Sequence, residues 1–384
     1  MSSNLLVTID GRLKELNKTL SQIRVVKEGD FVLPNDHNLQ TTALLYTRDI
    51  LQLMRDKLEE LQKAPPGVGV TWTKYIIGET GNYADLDDAI DDINADIDAG
   101  KTNILILLQP SSTPYTWSKT IDFQNKDSYI MLLMPLASIN IKTSTPWVNW
   151  TTYTTVEFDG LGIASYYGSY QVRFTTAIEI GDIILSFKYL NIYSDVHLTF
   201  NGTTLYLKNC GVPGKVNDTP TTFVRGYTSL NLITSYVTMY IEEGITDAYP
   251  ILSSYAGSSF ELWAYSPFVL YPSVYDSQVS LYIFSDMDYV FDSVYAYNSR
   301  IIVDCRSTAN ISTSIFNYVD TMLGNLIFLE NFVSSPQYYI YILLHGIGHN
   351  VFYYVAPSVD YIYFKYDVAV SFNDNYCHPK GEFF

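Results

Sequence analysis

The sequence predicts a mainly β chain: short strands wound as a parallel β-helix, preceded by an N-terminal α-helical segment and a capping helix. Three observations carry this. From Asn103 to about Asn373, short apolar runs alternate with turns, among them "NILILLQP", "TTLYLKNC", "SQVSLYIFSD" and "GNLIFLEN". Aligned at Leu205, Leu230, Phe260, Val279, Ile301 and Leu326, the runs recur with a loose period in the low twenties. That period is long for a hairpin and short for a strand–helix–strand unit, and it suits one coil of a solenoid. Lastly, 34 Tyr residues and only 16% charged residues describe pleated, half-buried surfaces rather than a disordered chain.

The segment 1–65 reads as a helical stalk. Leu6, Ile9, Leu13, Leu16, Leu20 and Ile23 alternate at three and four, a heptad seam. Leu at every a position and Ile at two of three d positions predict a homo-oligomer, with a trimer favoured. "KEGDFVLPNDHN" breaks the pattern at Pro34. A second helix follows to about Lys63, with Leu44, Leu51 and Leu58 seven apart and Met54 and Leu61 between them. "APPGVG" ends it, because proline cannot continue a helix. The predicted organisation is a stalk over 1–65, a first strand and capping helix over 66–102, and the β-helix with a C-terminal β region over 103–384.

The middle segment predicts a strand over Thr71–Ile77 and a helix from Tyr83 to Ala99, stopped at Gly100. Leu86, Ala89, Ile90, Ile93 and Ile97 share one helical face; Asp87, Asp88, Asp91, Asp92 and Asp98 lie off it and read as a solvated face. Asp92, Asn94, Asp96 and Asp98 alternate as in a calcium loop, but the glycine and glutamate of an EF-hand are missing. A stack of coils has an open first edge and an exposed apolar interior. One amphipathic helix placed there covers both.

"GNYADLDDAIDDI…NILILLQPSSTPYTW" resembles the opening of right-handed parallel β-helices of the pectate-lyase type. The matching positions are Tyr83, Ala89, Ile90, Pro110 and Tyr115. Viral tailspikes and tail fibres carry this module behind a helical stalk, and the Ile/Tyr-rich, charge-poor style resembles structural proteins of viruses infecting hyperthermophilic archaea. The resemblance implies a right-handed coil and a place on a virion. It brings no catalytic motif.

A search for chemistry returns little. The sequence holds no HExxH, GxSxG or P-loop lysine, so no catalytic residue and no cofactor is assigned. Three cysteines, Cys210, Cys305 and Cys377, imply no disulfide framework, and the glycine-flanked His345 and His349 give no metal site. A net charge of −17 opposes nucleic-acid binding. No apolar run is long enough to insert in a membrane, and no signal peptide opens the chain. Tyrosines beside Asn, Ser and Thr suit sugar contact, which singles out Tyr166, Tyr167 and Tyr170 in "ASYYGSY" and Tyr271 and Tyr275 in "YPSVYDSQ".

The expected function is therefore that of a virion spike or tail fibre. It would attach to other virion proteins through its stalk and bind host-surface glycan or glycoprotein on the outer face of the β-helix, at the virion surface or outside the cell. A first alternative is a glycan-degrading hydrolase or lyase on the same fold, with carboxylates from Asp286 and Asp288, or Asp304 and Glu330. A second is a capsid or shell component built as a β-sandwich, whose short strands would show similar spacing.

Overall fold

The computed structural model describes residues 71–161, 170–305, 311–323, 326–330, 340–344, 351–355, 362–366, 376–378 and 381–383, with strand pairing alone beyond residue 305. The chain divides into two compact units, Met1–Trp72 and Thr73–Phe384. The seam positions Leu6 to Leu61, and also His345 and His349, lie outside the described residues.

Thr73–Phe384 is mainly β and winds as a parallel β-solenoid of about eight turns. One sheet has eleven strands, beginning with Thr73–Ile77, Asn103–Leu108, Tyr129–Leu133 and Thr155–Asp159. A second begins with Tyr115–Trp117, Ile139–Ile141 and Gln171–Phe174. A third face carries Ile121–Asp122 beside Trp147–Val148 and, farther on, Ile178–Gly181, Leu198–Asn201 and Thr222–Arg225. Neighbouring strands are one coil apart in sequence, so the other two faces supply the long crossover that parallel pairing requires. Among the described residues one pair is antiparallel, a hairpin of Lys215–Val216 with Thr219–Pro220. This pairing excludes the β-sandwich, which needs two facing antiparallel layers.

Strand residues alternate in and out, and the same inward position stays mostly apolar from rung to rung. One inward column runs Tyr75, Ile106, Leu132, Phe158, Phe187, Leu207 and Leu232. All seven are buried. Phe158 and Phe187 stack with centroids 4.9 Å apart and planes 5° apart. A rung spacing of about 4.8 Å places like side chains at stacking distance without further adjustment.

From the rung of Ile184–Lys188 to that of Met287–Tyr297, each passage from the first sheet to the second is a tight corner with a left-handed residue. Tyr189, Asn209, Thr234, Ala256, Asp276 and Asn298 have φ between 47° and 59°. Asn and Asp tolerate this region through local hydrogen bonding; Tyr, Thr and Ala enter it at about 1 kcal/mol each. The inward corner position holds Cys210, Ser235, Ser258, Ser277 and Ser299, all buried. The Ser235 hydroxyl lies 3.0 Å from the Leu207 carbonyl and 2.9 Å from that of Ile233, and accepts from the Cys210 N–H at 3.1 Å. The Ser258 hydroxyl accepts from the Ser235 N–H at 3.1 Å. This column partners backbone groups that the bend would otherwise leave buried and alone. Burial pushes the Cys210 thiol up to about 11, which makes it a structural rather than a reactive cysteine.

The helix spans Leu86–Asp98, with Asp85 as N-cap and Asp88 completing a capping box. Leu86, Ala89, Ile90, Ile93 and Ile97 are wholly buried. The helix packs against Thr73–Ile77, Tyr115–Trp117 and Ile121–Asp122, the first strands of the three faces. Among the described residues, no earlier strand pairs with those edges apart from a bridge between Ile77 and Tyr83. Asp85 Oδ1 accepts from Thr116 N at 2.8 Å, Asp87 Oδ1 from Ser118 N at 2.6 Å and Lys119 N at 3.2 Å, and Asn94 Oδ1 from Asp122 N at 2.9 Å. Asn94 Nδ2 donates to the Thr120 carbonyl at 3.0 Å.

The helix polar face is thus not uniformly solvated, as the sequence suggested. Asp87 and Asn94 terminate strand ladders, while Asp88, Asp91, Asp92 and Asp98 are exposed. In the alternating acidic set, Asp92 accepts from the Tyr83 hydroxyl, and Asp96 accepts from Tyr75 at 2.7 Å and Lys101 at 2.6 Å.

The repeat alignment needs two corrections. Leu205 and Leu230 are register partners in the first sheet, and Phe260, Val279 and Ile301 form one column of the second. The longest step of the alignment, from Leu230 to Phe260, crosses between sheets: Leu230 pairs with Leu252, and Phe260 with Val237. Leu326 is off by one position, since Ile301 pairs with Ile327.

Candidate functional site

The outer side of the first sheet changes character along the solenoid. On the early rungs it is aliphatic: Leu105, Leu107, Met131 and Leu133 point out yet are buried. Next come the carboxylates Glu157 and Asp159, also buried. The Tyr129 hydroxyl donates to Glu157 Oε2 at 2.9 Å, Lys188 Nζ lies 2.8 Å from Oε1, and Asp159 accepts from Leu161 N at 2.8 Å. Burial, with the Glu157 charge, holds the Tyr129 proton well above the usual phenol range. A buried ion pair with both partners in place is structural on its own terms.

Among the described side chains, eleven outward positions of this sheet from Ser229 to Tyr297 carry no charge. They are Ser229, Asn231 and Ile233, then Ile251, Ser253 and Tyr255, then Tyr271, Ser273 and Tyr275, then Tyr295 and Tyr297. Four rungs with three outward residues on a strand make a patch of roughly 13 by 14 Å. Ile233, Ile251, Tyr255, Tyr295 and Tyr297 are exposed, and Ser229, Asn231, Ser253, Tyr271, Ser273 and Tyr275 are half-buried. The predicted contacts Tyr271 and Tyr275 therefore sit in this face. Tyr170 is half-buried against the hydrophobic core, and Tyr166 and Tyr167 lie outside the described residues.

Ring geometry changes the chemistry expected of these tyrosines. Tyr255 and Tyr275 lie one rung apart with centroids at 5.3 Å and planes 4° apart. Rings this nearly parallel at this distance are offset-stacked. Each covers part of its neighbour's face, while the side chains as a whole lie on the outer side of the sheet. Tyr227 and Tyr249 pair similarly, at 4.9 Å and 19°. The face therefore offers a row of phenol hydroxyls among serines and an asparagine, a hydrogen-bonding surface rather than a set of flat stacking platforms.

Where this face turns the corner into the second sheet lies an open concavity of about 450 Å³. It draws on three successive corners, Gly257–Ser259, Asp276–Gln278 and Asn298–Arg300. Most corners place two residues between strands, as at Asp276–Ser277 and Asn298–Ser299; the corner Ala256–Ser258 has three. The added Gly257 has φ 77°, a conformation that favours glycine, and its N–H bonds the Asp276 carbonyl at 2.7 Å. Asn298 Nδ2 donates to Asp276 Oδ1 at 2.7 Å. The hydroxyls of Ser258, Ser277 and Ser299 donate to backbone carbonyls. The outward groups are therefore Asp276, Gln278, Asn298 and Arg300.

A second aromatic column follows the outer side of the second sheet. Phe223, Tyr240, Trp263 and Tyr282 are successive register partners, and Asp304 and Glu330 continue the column. Trp263 and Tyr282 rings lie 4.3 Å apart, and burial pushes the Tyr240 hydroxyl up to about 12. The structure thus brings the predicted carboxylates Asp304 and Glu330 onto neighbouring rungs, with Asp304 buried. Asp286 is exposed and lies just before the strand Met287–Tyr297, which holds Asp288.

Sequence reasoning missed Tyr255, Tyr295, Tyr297, Asp276, Asn298 and Arg300. A signal existed: "YAGSS", "YDSQ" and "YNSR" repeat a tyrosine, a left-handed corner residue and a serine at a spacing close to one coil. No protein-family model matches the chain, and no curated protein or solved structure matches it either.

Proposed function

We propose that the chain is an attachment rod, a tailspike- or tail-fibre-like virion structural protein that binds host-surface glycan or glycoprotein on the uncharged face of its first sheet. The observation that carries this is the absence of charge at eleven outward positions over four rungs, in a chain of net charge −17. Charged groups keep a surface solvated and repel anionic partners. A neutral, hydroxyl-rich patch instead matches a neutral, hydroxyl-rich polymer.

The patch is small and open, so single-site affinity is modest and several copies joined through the 1–65 segment add avidity. The lead-in of Tyr83, Ala89, Ile90, Pro110 and Tyr115 supports a right-handed, tailspike-type coil and a particle setting. A glycan-degrading enzyme is the second reading, favoured by the Asp304–Glu330 register. Neighbouring rungs put those backbones about 4.8 Å apart, close to the roughly 5–5.5 Å carboxyl separation of retaining glycosidases.

Affinity electrophoresis through gels containing neutral or sulfated polysaccharide tests the proposal. Retardation is expected in neutral gels alone, and Tyr255→Ala with Tyr297→Ala is expected to abolish it. Equal mobility in all gels refutes glycan binding; release of new reducing ends moves the assignment to the enzyme.

A further inference from the structure

We infer that the corner concavity is the specificity subsite of this surface: it holds one neutral sugar bearing adjacent free hydroxyls, at an end or branch of a glycan laid on the uncharged face. This inference rests on the glycan reading above and adds which sugar class the face selects.

The four outward groups stand on a small grid. Asp276 and Asn298 occupy the same corner position on successive rungs, and Gln278 and Arg300 are register partners one strand position beyond the corner. Rungs are about 4.8 Å apart, and residues two apart along the chain are at most about 7 Å apart, less across a corner with a left-handed residue, so the grid is no larger than about one pyranose ring. An ionised carboxylate only accepts and a guanidinium only donates. Adjacent sugar hydroxyls, each both donor and acceptor, can bond to Asp276 and Arg300 together; Asn298 Nδ2 donates to Asp276 Oδ1 and Gln278 Nε2 to Ser280 at 3.2 Å, so the amide oxygens of Asn298 and Gln278 serve as acceptors.

The volume, about 450 Å³, lies within the roughly 300–1,000 Å³ of small-molecule sites. The inserted Gly257 lines one edge and breaks the regular run of corners, so this place is distinct from the corners before and after it. One carboxylate and one guanidinium cancel among the lining residues, so an acidic sugar gains no net attraction there over a neutral one. The uncharged face holds the polymer without reading it, and the concavity reads a single ring.

The test uses the full chain on an array of neutral oligosaccharides that differ at single hydroxyls, alongside uronic-acid and sulfated counterparts. The wild type is expected to prefer one neutral epimer. Asp276→Asn and Arg300→Gln, both at exposed positions, are expected to weaken that epimer about tenfold, the scale of a charged hydrogen bond, and to flatten the preference. Tyr297→Ala is expected to weaken all glycans while keeping the order. Thermal melts of the three variants should match the wild type. Unchanged epimer preference in both corner variants, or a preference for acidic glycans, overturns the inference and leaves glycan binding standing. Binding to no glycan overturns both.

Discussion

Removing the side chains that close the first rung should unzip the solenoid from that end. In the double variant Asp87→Ala, Asn94→Ala, the edge groups Ser118 N, Lys119 N, Asp122 N and Thr120 O lose their partners, bonded at 2.6 to 3.2 Å. Each such bond is worth about 0.5–1.5 kcal/mol net, more when a carboxylate accepts. Water reaches part of this edge and replaces some of the loss. Four bonds then amount to about 3 kcal/mol.

Coils of a solenoid contact only their neighbours, so the effect should be local rather than global. At about 1.4 kcal/mol per tenfold, amide exchange over 115–122 should accelerate by roughly a hundredfold, read by hydrogen-exchange mass spectrometry. Exchange over the distant strands Ser259–Ala264 and Gln278–Ile283 should not change. The bared edge should also pair with other copies, giving concentration-dependent association in size-exclusion chromatography. Asp98→Ala, which removes an exposed carboxylate from the same helix, is the control. If it accelerates exchange over 115–122 as much as the double variant does, the helix acts through its charge, and the edge-capping account is wrong.

Two further outcomes concern pH and the corner column. Burial and the Asp96 bond hold the Tyr75 proton far above the ordinary phenol value of 10.0, and the bond to Asp92, with burial, pushes Tyr83 to about 12. Both groups bind their proton more tightly when folded. The stabilisation from both is complete below pH 10; that of Tyr83 is lost as pH rises through about 12, and that of Tyr75 only at higher pH, so wild type should lose stability relative to Tyr83→Phe between pH 10 and 12 in urea titrations. Parallel curves would remove Tyr83 from the account. Asp96 works in the other direction: burial raises it, but the bonds from Lys101 and Tyr75 prevail and hold it below its ordinary value. Its contribution is therefore present above pH 4 and lost only as pH falls further. In the corner column, Ser235→Ala strands the Cys210 N–H and should cost about 1–3 kcal/mol. Ser235→Cys should cost less, because Cys210 already fills the same position with its sulfur 3.1 Å from the Phe187 carbonyl. Equal losses for the two variants would show that hydrogen bonding at this position is not what matters.

What the sequence determined by itself is whatever depends on neighbours along the chain. The stripe of Leu86, Ala89, Ile90, Ile93 and Ile97 specified a helix and its buried face, since five apolar side chains at that spacing leave one face to bury. Runs such as Asn103–Leu108 specified strands, and their recurrence specified coils. What it did not determine is which coil position each run occupies: Leu230 and Phe260 carry the same local pattern but belong to different sheets. A strand's side chains alternate identically on any face, and only pairing to the rung before settles its place. Tertiary structure also decided that Asp87 and Asn94 bond a strand edge, and that Tyr255 and Tyr275, a full coil apart in the chain, turn their faces to each other. The physical reason is common to all three: rung spacing and register are set across coils, where no local propensity reaches.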